Sequence, residues 1–367
     1  MATSNESPRA PDGQQTLPVS KERTLHELGF YALAGGVESA RPIFDELEQA
    51  EELGFGTAFI SERANKEAMS LSGAALASTT KIRVATGVTN PNTRHPQILA
   101  SAAATLCDIS GGRFVLGIGR GIEIGMKALG LSVQTTAQLE DFAEVMRKLW
   151  SGEMILGHEG PIGRFPVLRL GSNVRARVPL MLAAFGPNSL ALAGRCFDEV
   201  LLHTYFTDET TARVVGTARQ AAEVAGRDPA DVKVWSCFAT LGDHVPEELR
   251  LKKTVGRLAT YLQAPGYGEL LVNTNRWDLA VLEKFRADTV VAGMRGAIDE
   301  IATADQIEHI AGLIPEAWFE GSATGSPEAC AAAVRGQLDL GVDAVILHGG
   351  NPDILRPVVE AYRAGDA

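Results

Sequence analysis

The sequence predicts an α/β fold, a closed (β/α)8 TIM barrel, on three observations. Short apolar runs alternate with amphipathic stretches, eight runs in all. Those runs are apolar almost throughout rather than at every second residue, as expected of parallel strands buried on both faces. The polar residues capable of chemistry fall just after the runs, where barrels carry their active sites.

In chain order, residues 28–34 (LGFYALA) read as the first strand. A helix over about 39–53 follows, with Ile43, Leu47 and Ala50 at helical spacing and Gly54 at its C-terminal end. Residues 57–61 (TAFIS) form the second strand and 68–78 its helix. The third strand is 82–88 (IRVATGV), and its helix opens after His95–Pro96 and runs to about Ile109. The fourth is 114–118 (FVLGI), followed by a helix around 137–150. Strands five to seven are read at 180–184 (LMLAA), 199–203 (EVLLH) and 233–240 (KVWSCFAT). A helix over 327–340 leads to the eighth, 344–348 (AVILH). A doubly wound open sheet is the structural rival.

Two stretches break the repeat. Residues 151–178 hold a Gly/Pro-rich segment (GHEGPIGRFPVLRLG) read as an extended insertion or hairpin. Residues 243–324, too many for one helix, should place extra helices over the barrel mouth as a substrate-selecting wall. Residues 1–24, rich in Ser, Pro, Gln and charge, read as a disordered tail, leaving 25–367 as one barrel domain. That tail has no apolar stretch resembling a signal peptide, and no run approaches the length of a membrane span. A net charge of −11 without a Lys/Arg run argues against nucleic acid or anionic membrane as partner. The four cysteines are far apart with no C-x-x-C, so neither zinc nor a disulfide framework is implied, and a reducing cytoplasm suits them.

The strand-end candidates are Glu62 and Arg63 after the second strand, Asn90 after the third, and Arg120 and Glu123 after the fourth. Ala184, Phe185 and Gly186 follow the fifth, His203 ends the sixth and His348 the eighth. Any one of them could be an ordinary solvated loop residue; the set converges on one mouth. Residues 117–125 (GIGRGIEIG) invite a dinucleotide reading but have isoleucine where G-x-G-x-x-G needs its last glycine. The glycines still permit close approach of a flat ring or phosphate, or simply a tight turn. Gly186–Pro187 opens a helix whose N-terminus could receive a phosphate. There is no H-E-x-x-H, G-x-S-x-G or P-loop, no metal site is expected, and a metal-dependent hydrolase lacks its usual H-x-H start.

Residues 82–119 resemble the central signature of luciferase-like monooxygenases and their F420-dependent relatives. The matching parts are a strand ending in Gly-Val, Arg-His-Pro opening a helix, Ser-Gly-Gly-Arg-Phe, and Gly-Ile-Gly. Residues 184–187 with 192–198 (LAGRCFD), and 325–348, resemble later parts of the same family. The resemblance implies a barrel of the bacterial-luciferase type binding coenzyme F420 or FMN at the C-terminal mouth. It implies a non-prolyl cis bond at Gly87–Val88 behind the cofactor ring, and a phosphate side against Gly119–Gly121 and Ala184–Gly186. Well-known F420 enzymes of the family carry an acidic residue and then histidine after the second strand. Here Glu62 is followed by Arg63, which stays protonated and cannot serve as a base. The proton-transfer group is then sought among Glu62, Glu123, His203 and His348.

Three functions follow as expectations. One is an F420-dependent oxidoreductase moving a hydride between C5 of the deazaflavin and a small organic substrate. The second is a reduced-FMN monooxygenase served by a separate flavin reductase, and the third a non-catalytic cofactor-binding protein. The family resemblance also implies a homodimer. Tyr261, Tyr267, Trp277 and Trp318 of the long insertion are either pocket lining or the insertion's own core.

Overall fold

The computed structural model describes residues 23–33, 39–63, 65–171 and 177–365. Eight parallel strands close on themselves: β1 (Leu25–Tyr31), β2 (Phe55–Ile60), β3 (Arg83–Thr86), β4 (Phe114–Ile118), β5 (Leu180–Ala183), β6 (Glu199–Leu201), β7 (Lys233–Gly242) and β8 (Ala344–His348). Each pairs with the next, and β8 returns to β1 through Leu28–Val345, Gly29–Ile346 and Phe30–Leu347. The closed ring excludes the doubly wound sheet.

β1 starts and stops three residues before its predicted bounds of 28–34. The strand ends because Leu33 adopts φ +58, a left-handed conformation, and both its backbone groups are captured by side chains. Its N–H donates to Glu46 Oε1 at 2.8 Å, and its carbonyl accepts from the buried Lys66 Nζ at 3.0 Å. β7 outruns its predicted end because a short extra strand, Ser322–Gly325, pairs with residues 239–242. Residues 1–22 of the expected tail lie outside the described residues.

The barrel is filled, not hollow. Phe59, Val115, Met181, Trp235 and Ile346 pack inside the ring, while a larger shell joins strands to helices. The end away from the active face is closed by a polar plug: Trp235 Nε1 donates to Glu199 Oε2 at 2.7 Å, Arg83 pairs with the same carboxylate, and Lys233 Nζ lies 4.2 Å over the indole. With Glu199 5% exposed, Glu199→Ala leaves Arg83 and the indole N–H unpartnered, and should cost about 3 kcal/mol in a denaturant melt.

The segment after the helix Thr136–Trp150 holds an antiparallel hairpin, Ile155–Gly160 with Gly163–Leu168. The β7–β8 connection carries a run of short helices between Glu247 and Ala311, interrupted by one π-turn over Lys252–Gly256. Trp277 and Trp318 stack on each other at 4.4 Å and belong to the core of this insertion. Among the described residues, no helix is long and apolar enough to cross a membrane.

Candidate active site

The C-terminal ends of the strands surround a cavity of about 980 Å3. Its lining takes in Glu62 and Arg63 from β2, Gly87, Val88 and Asn90 from β3, and Gly119–Gly121 with Arg120 from β4. From β5 come Ala184, Phe185, Gly186 and Pro187; His203 and His348 complete the ring.

One wall is bare backbone. The Gly87–Val88 peptide is cis, the conformation the resemblance implied. The loop that follows is stitched to both neighbours: Gly87 N–H donates to Ile60 O, Thr89 N–H to Gly117 O, and Asn90 Nδ2 to Gly119 O at 2.9 Å. Glycine is required here by contact. A Cβ on Gly119 would stand 2.7 Å from Val88 Cγ2, and one on Gly87 would stand 3.0 Å from Phe59 Cβ and 3.1 Å from Tyr31 Cε1. Gly121 at φ +81 turns the chain away.

The end of this wall suits an anion. Gly186 precedes the helix Pro187–Cys196 without any side-chain cap; Pro187 has no N–H and the Ser189 and Leu190 N–H groups donate to Gly186 O, so the Asn188 N–H is the early helix donor without a partner among the described residues. Beside it, the Arg120 guanidinium donates to neutral partners: Ser189 Oγ at 3.0 Å, Gln134 O at 2.7 Å and Thr136 Oγ1 at 2.9 Å. The positive charge is fixed in place and meets no carboxylate among the described residues, which suits a phosphate site.

The other side is aromatic and imidazole. His203 stacks on Phe185 with centroids 4.3 Å apart and meets Tyr261 and Tyr267 edge-on at 4.7 and 5.3 Å. Its Nδ1 lies 2.6 Å from Thr204 O. A carbonyl only accepts, so Nδ1 carries the hydrogen and Nε2 keeps its lone pair for the cavity. His348 meets Tyr31 edge-on at 5.2 Å, and its Nδ1 is buried without a partner among the described residues. Burial pushes His203 down to about 4, against the pull of its Thr204 bond. Burial, then Arg257 and Lys253, push His348 down to about 3. Both rings are therefore neutral at physiological pH. Burial likewise raises the Cys237 thiol to about 11, so it is no nucleophile.

These imidazoles make stability pH-dependent with a definite sign. The unfolded chain takes up both protons near pH 6.5, whereas the fold resists until about pH 4 and 3. Stability is full above pH ~6.5 and falls as pH drops, by about 2 kcal/mol per histidine at pH 5. Chemical denaturation at pH 7.5 and 5 should show this loss, and replacing both histidines by phenylalanine should flatten it.

The carboxylates are committed elsewhere. Glu62 accepts from Thr89 Oγ1 and pairs with Arg94, whose second nitrogen reaches its other oxygen at 3.3 Å. Its oxygens are held by Thr89 and Arg94. Arg63 bonds Glu300 of the insertion at 3.0 Å. Glu123 corrects the sequence reading: it begins a short helix, Glu123–Ala128, pairs with Lys127 at 2.7 Å in solvent, and does not line the cavity. Five residues beyond Ile118, the chain has already turned outward.

Sequence reasoning missed Tyr31, Lys253 and Arg257, which line the same cavity. Tyr31 was hidden inside an apolar run. The other two sit on the insertion, where no strand-end rule applies. Among the described residues, no group of His, Cys, Asp or Glu is placed to hold a metal.

Comparison with known proteins gives a consistent result. The model of the luciferase-like monooxygenase family matches residues 21–344. The 5,10-methylenetetrahydromethanopterin reductase of Methanolobus tindarius is 28% identical over 309 residues, 83% of this chain and 88% of its own. The F420-dependent hydroxymycolic acid dehydrogenase of Mycobacterium tuberculosis is 34% identical over 172 residues, 45% of this chain and 47% of its own. The solved coenzyme F420 dependent tetrahydromethanopterin reductase from Methanopyrus kandleri superimposes with TM-score 0.76 at 22% identity, covering 92% of this chain and 99% of that one.

Proposed function

The chain belongs to the luciferase-like monooxygenase family, and from that premise we propose that it is an F420-dependent oxidoreductase acting on a small organic substrate. The observation that carries the reading is His203: an imidazole locked by the Thr204 carbonyl and an aromatic stack, with its acceptor nitrogen left to the cavity. A hydride transfer needs such a group, because the substrate's heteroatom must lose or gain a proton as its carbon loses or gains the hydride.

The residues fit the cofactor. A flat ring system needs a wall with room beside the backbone, which Gly87 and Gly119 supply, with the Val88 side chain packed against Gly119. A phosphate needs an uncompensated cation and an open donor, which Arg120 and the Asn188 N–H at the start of the helix after Gly186 supply. Asn90, bonded to Gly119 O, holds the two loops of the wall together. When bound, the deazaflavin would supply the hydride donor or acceptor at C5. Around it, Phe185, Tyr261 and Tyr267 exclude water, and His203 Nε2 accepts the substrate's O–H or N–H proton in the oxidation direction. A neutral imidazole suits this base. Glu62 positions Arg94 and the β3 loop rather than moving a proton.

Arg120→Met tests the phosphate end. It should weaken F420 about tenfold and leave binding of the cofactor's dephosphorylated form unchanged, read by fluorescence titration. An equal loss for both forms would place Arg120 in a purely structural role. FMN shares the phosphate and the flat ring, so the reduced-FMN monooxygenase remains the alternative that a direct comparison of cofactors must separate.

A further inference from the structure

We propose that Lys253, Arg257 and Arg63 form a subsite for an oxyanion, a carboxylate or phosphate carried by the substrate. The proposal rests on the reading above only in giving the glycine wall to the cofactor.

All three cations line the cavity. Pairing them off leaves one charge over. Arg257 bonds Asp299 at 2.6 Å, and both are largely buried, 18% and 4% exposed. Arg63 meets Glu300 at 3.0 Å, with both side chains open to solvent, so that pair is weak and readily exchanged. Glu62, the remaining acid of the lining, is taken by Arg94. Lys253 has no ion-pair or hydrogen-bond partner for its ammonium among the described residues, although it is only partly exposed. A half-buried ammonium with no partner is costly unless something is meant to meet it.

Its placement is also built. Lys253 lies on the π-turn Lys252–Gly256, and such turns recur at functional sites because they re-aim side chains out of a regular helix. The turn is braced by Tyr205, a fully buried residue at φ +64, whose hydroxyl donates to Thr254 O at 2.9 Å. Tyr205 is held in turn by Asn275 Nδ2 on its own carbonyl at 2.8 Å. Burial and the neighbouring Arg257 both press the Lys253 ammonium toward its neutral form, and an arriving anion relieves that pressure. Two cations from the insertion and one from β2 thus converge where an oxyanion would gain charge-assisted bonds.

The test is calorimetric titration of the full-length protein, with and without F420, using methyl phosphate and acetate as probes. At least one probe should bind the F420-loaded protein, and the tighter one names the oxyanion. Lys253→Met should weaken it tenfold or more, and Glu300→Gln, which frees Arg63, should tighten it; a misfolded variant cannot produce the gain. Binding of neither probe, or binding indifferent to Lys253→Met, overturns the proposal. So does a Lys253→Met effect on F420 itself with no probe binding to the loaded protein, since the cations would then serve the cofactor. If F420 fails to bind but the Lys253-sensitive anion site persists in the free protein, the subsite stands and the cofactor reading falls.

Discussion

Gly119→Ala is expected to weaken cofactor binding by about ten- to a hundredfold while leaving the barrel folded. The added methyl would lie 2.7 Å from Val88 Cγ2, closer than any real contact. Valine is stiff at χ1, so the strain is relieved by moving the Val88 side chain and its loop into the space the cofactor ring would use. Overpacking of this kind costs about 1–3 kcal/mol, which converts to the stated loss. The loop itself is retained by the Thr89–Gly117 and Asn90–Gly119 bonds, so thermal melting should shift by only a few degrees. A fluorescence titration beside a melt separates the two effects. Unchanged affinity would mean that this wall does not face the cofactor.

His203→Phe should lower turnover by about 10²- to 10⁴-fold, the range for loss of a general base. Phenylalanine preserves the stack on Phe185 and the edges offered to Tyr261 and Tyr267, so the pocket keeps its shape and the cofactor its affinity. Only the nitrogen pair is removed. The loss should appear in kcat rather than KM. Because the wild-type ring stays neutral down to about pH 4, kcat/KM should show no inflection from it between pH 5 and 8. Retained turnover in this variant would move the proton-transfer role to His348.

Much of this architecture was legible in the sequence because it rests on local rules. The Arg-His-Pro signature illustrates how. Arg94 orients Glu62, His95 caps the helix through Nδ1 to Gln97 N–H, and Pro96 takes the first helical position. In Ser-Gly-Gly-Arg-Phe, Gly111 and Gly112 adopt positive φ so that Arg113 can bond the carbonyls of Leu76, Thr79 and Ile82. Those motifs fix strands β3 and β4, and with them the glycine wall. What could not be read depends on distant partners. Leu33 ended its strand through Glu46 and Lys66, neither of which follows from the apolar pattern. Glu62 and Glu123 looked alike as acids near strand ends, yet one is locked by Arg94 and the other lies on an outward helix. Lys253 and Arg257 reach the cavity only because the insertion folds back over the mouth, and the π-turn that aims Lys253 leaves no mark in composition.

The central claim is the cofactor. Titrating the purified protein separately with F420 and with FMN, following quenching of its tryptophan fluorescence, tests it directly. Micromolar binding of F420 with little response to FMN is the expected result. Preference for FMN would contradict the hydride-transfer account and place the protein among reductase-fed monooxygenases. Binding of neither would leave the barrel and its family with no support for F420 chemistry in this pocket.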